Sequence, residues 1–311
     1  MAKLSREMSD ADMEALFSSV CNWGRWGPDD ERGALNHLTS AEARAAAGLV
    51  CLGRTVSLSR DFPIQPGPEN PWPAHHHMVI AGDDPCVPGV DGLEVSTDYI
   101  GIAFHGMASS HLDALCHVFQ GGRMYNGHPA SEVKSTGARR NTVMTLKEGL
   151  AGRGVLLDVP RALGRAFMDP DHLTTVGELE ATEAAQGLRV GKGDILLIRL
   201  GRDARRETVT DQAVPGLDPE VAAWLHERQV AVLGGDGVHD PIPSGRCAPG
   251  WPMPIHMVGL VSMGLHLLDN LDLEAVSAAC IAAGRWEFLL TLAPLRVPGG
   301  TGSPLNPIAM F

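Results

Sequence analysis

The second half of the chain alternates between short apolar runs and segments of helical spacing, and this alternation restricts the fold more than any other feature. The apolar runs have the length of buried strands, and the segments between them carry helix-start signals. The predicted strands are 155–159, 194–199, 230–234 and 287–292, and the predicted helices are 176–186, 219–228, 256–267 and 273–283. Helices that repeatedly follow strands are typical of an α/β domain with a largely buried sheet.

The first half is predicted to be more irregular. Helices are expected over 10–20 and from Thr39 or Ser40 to 47, and strands over 55–58 and 93–105. The triplet 75–77, three consecutive histidines, is expected in a solvated turn, from which some of it could reach a site. No internal repeat or linker-like composition shift is present, so we predict one domain over 1–311, in which residues 1–50 form an N-terminal helical arm.

Charge and composition limit the class of partner. The 311 residues carry a formal net charge of -12, which disfavours nucleic acid and anionic membrane surfaces as partners. No apolar run reaches the ~18 residues that a membrane span needs, and the N-terminus turns acidic before a signal peptide could form. We therefore expect a small-molecule substrate.

The cysteines indicate the compartment. Six are scattered through the chain without a C-x-x-C pair: Cys21, Cys51, Cys86, Cys116, Cys247 and Cys280. A chain of this length needs no disulfides to stabilise its core, so reduced thiols in a cytoplasm fit this pattern best.

Four side chains that can bind a metal or move a proton fall within residues 105–117: His105, His111, Asp113 and His117. If the chain is extended at His111 and Asp113, their side chains share one face ~6.6 Å apart, close enough to share a cation. A bend after Asp113 would let His117 swing back as a further ligand or as a base. This density of functional groups predicts a site.

Other segments are less specific. Two aspartates, Asp236 and Asp240, and His239 follow a predicted strand, where open α/β sheets place ligand sites. His256 opens an apolar predicted helix whose far end carries Asp269, and Trp23 and Trp26 in a turn-rich loop could line a pocket or plug the core. No dinucleotide fingerprint, Walker A sequence, G-x-S-x-G or H-E-x-x-H motif is present.

Taken together, these segments resemble the cyclase family, which contains bacterial kynurenine formamidase, isatin hydrolase and related metal-dependent hydrolases. The family's mark is H-x-G-T-H-x-D-x-P-x-H, and residues 110–117 match its second half. Weaker matches in the same order extend over nearly the whole chain, through the Gly235-Asp236 pair, the His256 segment and the closing 302–304. The resemblance implies a compact swivelling β/β/α-type domain with a mixed sheet flanked by helices.

The resemblance also implies roles for individual residues. His111 and Asp113 would bind a divalent cation, zinc or manganese, and His117 would act as general acid/base. His256 and Asp269 would complete the site. Apart from the resemblance, Trp23 and Trp26, with Phe119 or Met124, could supply an apolar wall for the substrate. The implied protein is a homodimer or homotetramer that hydrolyses an amide or lactone bond in a small cyclic or aromatic molecule.

The sequence departs from the family's mark at Met107, where the first metal ligand is expected. A thioether is a poor ligand in a site of oxygen and nitrogen donors. Three alternatives remain: His105 replaces the ligand, which requires 106–110 to loop; His256 or His77 completes the site; or metal binding is lost. Two further functions stay open, an isomerase or lyase acting on a carbonyl compound, and a metal-free binding protein.

Overall fold

The protein is described by a computed structural model that covers residues 8–84, 89–90, 92–208, 213–242 and 248–311. Residues 1–7 and two of the cysteines predicted to be reduced, Cys86 and Cys247, lie outside these ranges. The four described cysteines, Cys21, Cys51, Cys116 and Cys280, are free thiols. Within the described ranges, no helix is both long enough and apolar enough to cross a membrane.

The strands are short, and most of them belong to one sheet. They are β1 Thr55–Ser57, β2 His75–Ile80, β3 Thr97–Gly101, β4 His111–Asp113, β5 Val133–Lys134, β6 Gly137–Ala138, β7 Leu150–Asp158, β8 Leu173–Thr174, β9 Ile195–Arg199, β10 Gly216–Leu217, β11 Val232–Gly235, β12 His266–Asp269, β13 Glu287–Leu292, β14 Gly302–Pro304 and β15 Ile308–Met310.

The helices flank this sheet. They are α1 Asp10–Ser19, α2 Ser40–Ala47, α3 Val159–Ala162, α4 Val176–Gln186, α5 Arg202–Thr208, α6 Val221–Glu227, α7 Pro254–His256 and α8 Glu274–Ala283, and a π-helix Met257–Met263 continues α7. Single 3-10 turns are Gly33–His37, Tyr125–Gly127, Ala130–Glu132 and Val143–Leu146.

The main sheet has nine strands in the order β1-β15-β13-β7-β9-β11-β12-β4-β14. The central strands β7, β9, β11 and β12 are parallel, and every pair outside them is antiparallel. Successive residues of β9 face opposite sides: Leu196 and Ile198 enter one apolar core, and Ile195 and Leu197 enter the other. The predicted α/β fold with a mixed sheet flanked by helices is therefore confirmed.

One helix prediction was wrong in a way that matters for the site. The segment 256–267 is not one helix, because Gly264 takes a left-handed conformation that ends the π-helix. His266–Asp269 then forms β12, buried between β11 and β4. A short apolar run buried on both sides has no period that separates strand from helix. As a result, Asp269 lies at the end of a strand.

The strand predicted over 93–105 is shorter than expected. Only Thr97–Gly101 is extended, and it pairs with His75–Ile80, so the three histidines lie on a strand and not in a turn. Every residue of these two strands is exposed except Ile80 and Gly101, which lie at the strand ends and are half-buried. Because neither face packs on the core, the sequence of this region lacks a buried side that would mark its limits.

The N-terminal residues pack against the body of the protein. Met13 and Leu16 of α1 join the apolar core around the π-helix, and the Ser262 hydroxyl of that helix donates a hydrogen bond to Phe17 O. A single domain with an N-terminal arm stays a prediction.

Gly33 lies against the backbone of Gly264, the residue that ends the π-helix. A Cβ on Gly33 would lie 2.1 Å from Gly264 O, and Gly33 has a φ of +56°. Gly24 has a similar φ of +74° but open space around it. We expect Gly33→Ala to lower the free energy of unfolding by about 1–3 kcal/mol more than Gly24→Ala, because only Gly33 adds overpacking to the backbone cost. Urea denaturation measures both, and equal losses would contradict the prediction.

Candidate metal centre

The centre is built on β4 and its neighbour β12. The side chains of His111 and Asp113 lie on one face of β4, as the sequence predicts for an extended segment. Antiparallel pairing of the two strands sets Asp269 opposite His111. This register brings together carboxylates that are 156 residues apart in the sequence, Asp113 and Asp269, at a buried position on the sheet.

His105 reaches the same place from a loop. Its Nδ1 lies 2.9 Å from Asp113 Oδ1, and its Nε2 lies 3.1 Å from Thr301 Oγ1. The loop begins at Gly106, which has a φ of +123°, a conformation that glycine adopts readily. The condition that the sequence sets for His105, a loop over 106–110, is met, although its role as a ligand stays a prediction.

His256 approaches from the other side. Its Nε2 lies 3.4 Å from Asp113 Oδ2 and 3.3 Å from Asp269 Oδ2. Its Nδ1 donates a 2.7 Å hydrogen bond to Asp240, which also accepts the backbone N–H groups of Ile255 and His256. A carboxylate on Nδ1 fixes the ring and leaves Nε2 free to bind a metal.

Two groups of potential metal ligands therefore meet at Asp113. One consists of His105, His111 and Asp113, and the other of Asp113, His256 and Asp269, with the ligand atoms of each group within 4.8 Å of one another. The fully buried carboxylate of Asp113 belongs to both groups. The chain thus offers a place for one or two cations.

The unsatisfied atoms of the centre test whether a cation fits. Both Asp113 oxygens, Asp269 Oδ1 and His105 Nδ1 are buried without a hydrogen bond, even though the nitrogen is only 2.9 Å from a carboxylate oxygen. Such atoms are costly unless something binds them. Tetrahedral ligands at about 2.0–2.2 Å from zinc stand roughly 3.3–3.6 Å apart. The contacts of His111 and His256 with Asp113, both 3.4 Å, therefore fit ligands that converge on an ion.

The electrostatics of the centre agree. Burial alone would lower the pKa of His111, but Asp113 and Asp269 outweigh it and raise this pKa to about 9. Burial alone would raise the pKa of Asp113, yet His105, His111 and His256 hold it well below its usual value. The buried carboxylates thus remain negative and require positive charge beside them.

His117 lies at the open edge of the centre. Its ring stacks on that of His105, with centroids 3.7 Å apart and planes 2° from parallel, and its Nε2 is 3.9 Å from Asp113 Oδ1. The side chain is 29% exposed and belongs to neither ligand group. Burial, reinforced by the neighbouring histidines, lowers the pKa of His117 to about 4, so the ring is neutral at pH 7.

The three residues of the predicted aromatic wall have the following surroundings. The Trp23 indole donates to Val261 O and packs edge-on against Phe17, and Trp26 packs edge-on against His37. Phe119 is partly exposed two residues after His117. Contact of these three residues with a substrate stays a prediction.

His77 does not join the centre. It stacks on Tyr99 in the exposed hairpin, with ring centroids 5.0 Å apart, and it is absent from both ligand groups of the described residues. Of the alternatives for the missing ligand, the geometry favours His105 and His256 over His77.

A cavity of about 210 Å³ adjoins His105, and residues 68–72 and 103–109 line it. Its apolar side chains include Trp72, Phe104 and Met107. The sequence analysis assigned no role to Trp72 or Phe104. Met107, flagged as a missing ligand, contributes to the wall of this cavity.

The sequence indicated the segments of three further residues that contact the ligands, but not the roles of these residues. Asp240 orients His256, His239 Nε2 lies 3.2 Å from Asp269 Oδ1, and Thr301 contacts His105. The signal for the first two was their position just past the C-terminal end of a predicted strand. For Thr301 only a loop of small residues near the C-terminus was visible.

Comparisons with known proteins show the family and the fold. The sequence profile of the family described as "Putative cyclase" matches residues 54–239, more than half of the chain. A crystal structure of a novel cyclase superposes with a TM-score of 0.82 at 32% identity, covering 94% of this chain and 100% of that one.

Isatin hydrolases are also similar to this chain. The isatin hydrolase of Roseibium aggregatum is 29% identical over 152 residues, which is 46% of this chain and 54% of that protein, so the chain matches about half of its length. The crystal structure of an isatin hydrolase bound to the product analogue thioisatinate has a TM-score of 0.58 at 20% identity, covering 88% of this chain and 98% of that one. At that identity the superposition shows a shared fold.

Proposed function

Because the chain belongs to the cyclase family, we propose that it is a metal-dependent hydrolase that cleaves an amide or lactone bond in a small cyclic or aromatic molecule. The observation that carries the proposal is the convergence of buried histidine and carboxylate atoms, several without a hydrogen bond, on two places that share Asp113. The similarity to isatin hydrolase supports hydrolysis as the reaction class.

His105, His111, Asp113, His256 and Asp269 would hold the metal. Imidazole and carboxylate ligands suit zinc or manganese. When bound, such a cation polarises a carbonyl oxygen and makes water more acidic. Asp240 and Thr301 keep the rings of His256 and His105 in the orientation that binding requires.

His117 would transfer the proton. As water adds to the substrate carbonyl, the neutral His117 ring takes a proton from it, and the protonated ring then gives that proton to the leaving nitrogen or oxygen as the bond breaks. His117 suits this role because it is beside both ligand groups without belonging to either and remains open to solvent.

The cavity beside His105 would bind the substrate. Trp72, Phe104 and Met107 give it an apolar wall on which a ring can pack, next to the polar groups of the centre. This combination favours a flat cyclic substrate with one carbonyl group directed to the metal.

The test combines metal analysis with a substrate panel. We expect purified protein to carry near-stoichiometric zinc or manganese and to hydrolyse at least one compound from a series of formamides, cyclic amides and lactones. A chelator should abolish turnover and lower the unfolding temperature, because bound metal adds about 2.7–4.1 kcal/mol when its free concentration is about 100–1,000 times Kd.

Other outcomes would overturn the proposal. Protein that holds no metal and takes up none on addition of zinc or manganese would be a metal-free binding protein. Hydrogen exchange at a substrate carbon in deuterated buffer without hydrolysis, followed by NMR, would instead indicate an isomerase or lyase.

We also propose a homodimer or homotetramer. Exposed large apolar side chains are concentrated in and around the β2–β3 hairpin, where Trp72, Val79, Tyr99 and Ile100 are each more than half exposed. A second copy of the chain would cover them, and light scattering after gel filtration measures the assembly.

The free thiols of the four described cysteines support a cytoplasmic location.

A further inference from the structure

The loop that carries His105 has to reverse sharply. His105 and His111 are six residues apart, and an extended chain would separate them by ~20 Å. Their ring centroids are in fact 5.2 Å apart. Residues 106–109, which make this reversal, form no helix or strand and none of the described backbone hydrogen bonds between main-chain groups. Side chains from elsewhere must therefore fix the path of this loop.

Asn270 binds both ends of the loop. Its Nδ2 donates hydrogen bonds to Gly106 O at 2.7 Å and to Ser109 O at 3.2 Å. Ser109 O also accepts a 2.9 Å hydrogen bond from His111 Nδ1. A single buried amide thus connects the residue after His105 to the carbonyl that orients His111, and Asn270 itself directly follows Asp269.

Arg202 fixes the orientation of that amide. Its Nη1 donates to Asn270 Oδ1 at 2.5 Å, so the amide must direct its NH₂ group to the loop. Its Nη2 donates to Met107 O, a third carbonyl of the same loop. The guanidinium is held in turn by Glu69 at 2.8 Å and by Asp236 O at 3.2 Å.

From these contacts we propose that Asn270, oriented by Arg202, is the positioning residue that holds the 106–109 loop and thereby places His105 in the metal centre. The inference rests on the proposed function and deepens it, because it explains how a histidine outside the family's usual spacing reaches the ligand position. Asparagine suits this position for two reasons. It adopts the left-handed backbone found here, with a φ of 56°, more readily than most residues, and its NH₂ group supplies the two donors that two carbonyl oxygens require.

The test measures cobalt binding, because Co²⁺ substitutes for zinc and its visible absorption reports the ligands around it. The variant is Asn270→Gly, which removes the amide and tolerates the left-handed backbone. Asn141→Gly is the matched control: Asn141 is also buried, has a φ of 57° and donates from Nδ2 to a backbone carbonyl, Tyr125 O. His105→Ala gives the effect of losing the ligand itself.

We expect Asn270→Gly to weaken cobalt binding about 10–100-fold and to change the spectrum in the same way as His105→Ala, while Asn141→Gly leaves both unchanged. A double variant that combines His105→Ala with Asn270→Gly should have a cobalt affinity within about twofold of that of His105→Ala alone. Once the histidine is absent, the position of the loop no longer affects this ligand. Arg202→Lys keeps the charge but places all its donors on one nitrogen, whereas Arg202 reaches Asn270 Oδ1 and Met107 O from two separate nitrogens. This variant should change the spectrum in the same direction, and it replaces Asn270→Gly if that variant does not fold.

Two results would overturn the inference in different ways. If His105→Ala alters the spectrum and Asn270→Gly or its replacement does not, or if their losses of affinity add in full, Asn270 does not act through His105. If His105→Ala leaves cobalt binding unchanged, His105 is not a ligand, and that part of the proposed metal centre falls together with the positioning role.

Discussion

Asp113→Asn is expected to leave the protein without bound metal and to lower kcat/KM for its hydrolytic substrate by at least about 10³-fold. The carboxylate faces His105 and His111 with Oδ1 and His256 with Oδ2, so it belongs to both ligand groups. The amide side chain of this variant would lack the negative charge. It would also direct an NH₂ group, which cannot bind a cation, toward one of the two ligand groups. Metal-ion catalysis contributes several kcal/mol, and each 1.36 kcal/mol corresponds to a factor of about ten in rate.

Metal content by mass spectrometry and kcat/KM are the two measurements. Asp98→Asn is the matched control, since Asp98 Oδ2 also lies 2.8 Å from a histidine, His76, but on the exposed hairpin. The control should retain its metal and activity. Asp113→Asn protein with wild-type metal content and turnover would show that the centre is not where the reaction occurs.

The sequence was informative where a pattern is local. The alternation of buried strands and amphipathic helices predicted β9, β11, β13, α4 and α8 close to their observed limits, and it predicted the C-terminal half of β7. His111 and Asp113 were also accessible, because a period of two puts both on one face of a strand. The antiparallel register with β12, which adds Asp269, depends on pairing between distant segments and leaves no local signal.

His105 shows why the rest of the site could not be predicted. Nothing within residues 105–111 specifies how the loop turns, because its carbonyls are bound by side chains that lie 95 to 164 residues away in the sequence, Arg202 and Asn270. Small residues such as Gly106 permit the turn without determining it. The sequence could therefore show that His105 reaches the site only if 106–110 forms a loop, but it could not show that the loop forms.

The segment that contains His256 and Asp269 shows a second limit. Both residues were predicted as candidate ligands, but on one helix, which would have set them far apart. The left-handed Gly264 instead divides the segment, and the strand after it runs back along β4. A glycine inside an apolar run is compatible with either structure, so only the packing of the whole sheet decides.

His117→Gln is expected to lower kcat by about 10²–10⁴-fold and to leave the metal content unchanged. The change removes the group that takes a proton from water and returns it to the leaving group, a role with an effect of this size. The metal should remain because His117 belongs to neither ligand group and its Nε2 is 3.9 Å from the nearest carboxylate oxygen described, Asp113 Oδ1.

The separation between rate and metal content distinguishes a base from a ligand. His77→Gln is the matched control, because His77 also stacks on an aromatic ring, Tyr99, but far from the ligand groups in the exposed hairpin. Free imidazole added to a smaller variant, His117→Gly, should restore part of kcat, since the side chain is partly exposed and a small base can enter the space it leaves. Loss of metal in His117→Gln would assign His117 to the ligands, and a normal kcat with retained metal would leave proton transfer to another residue.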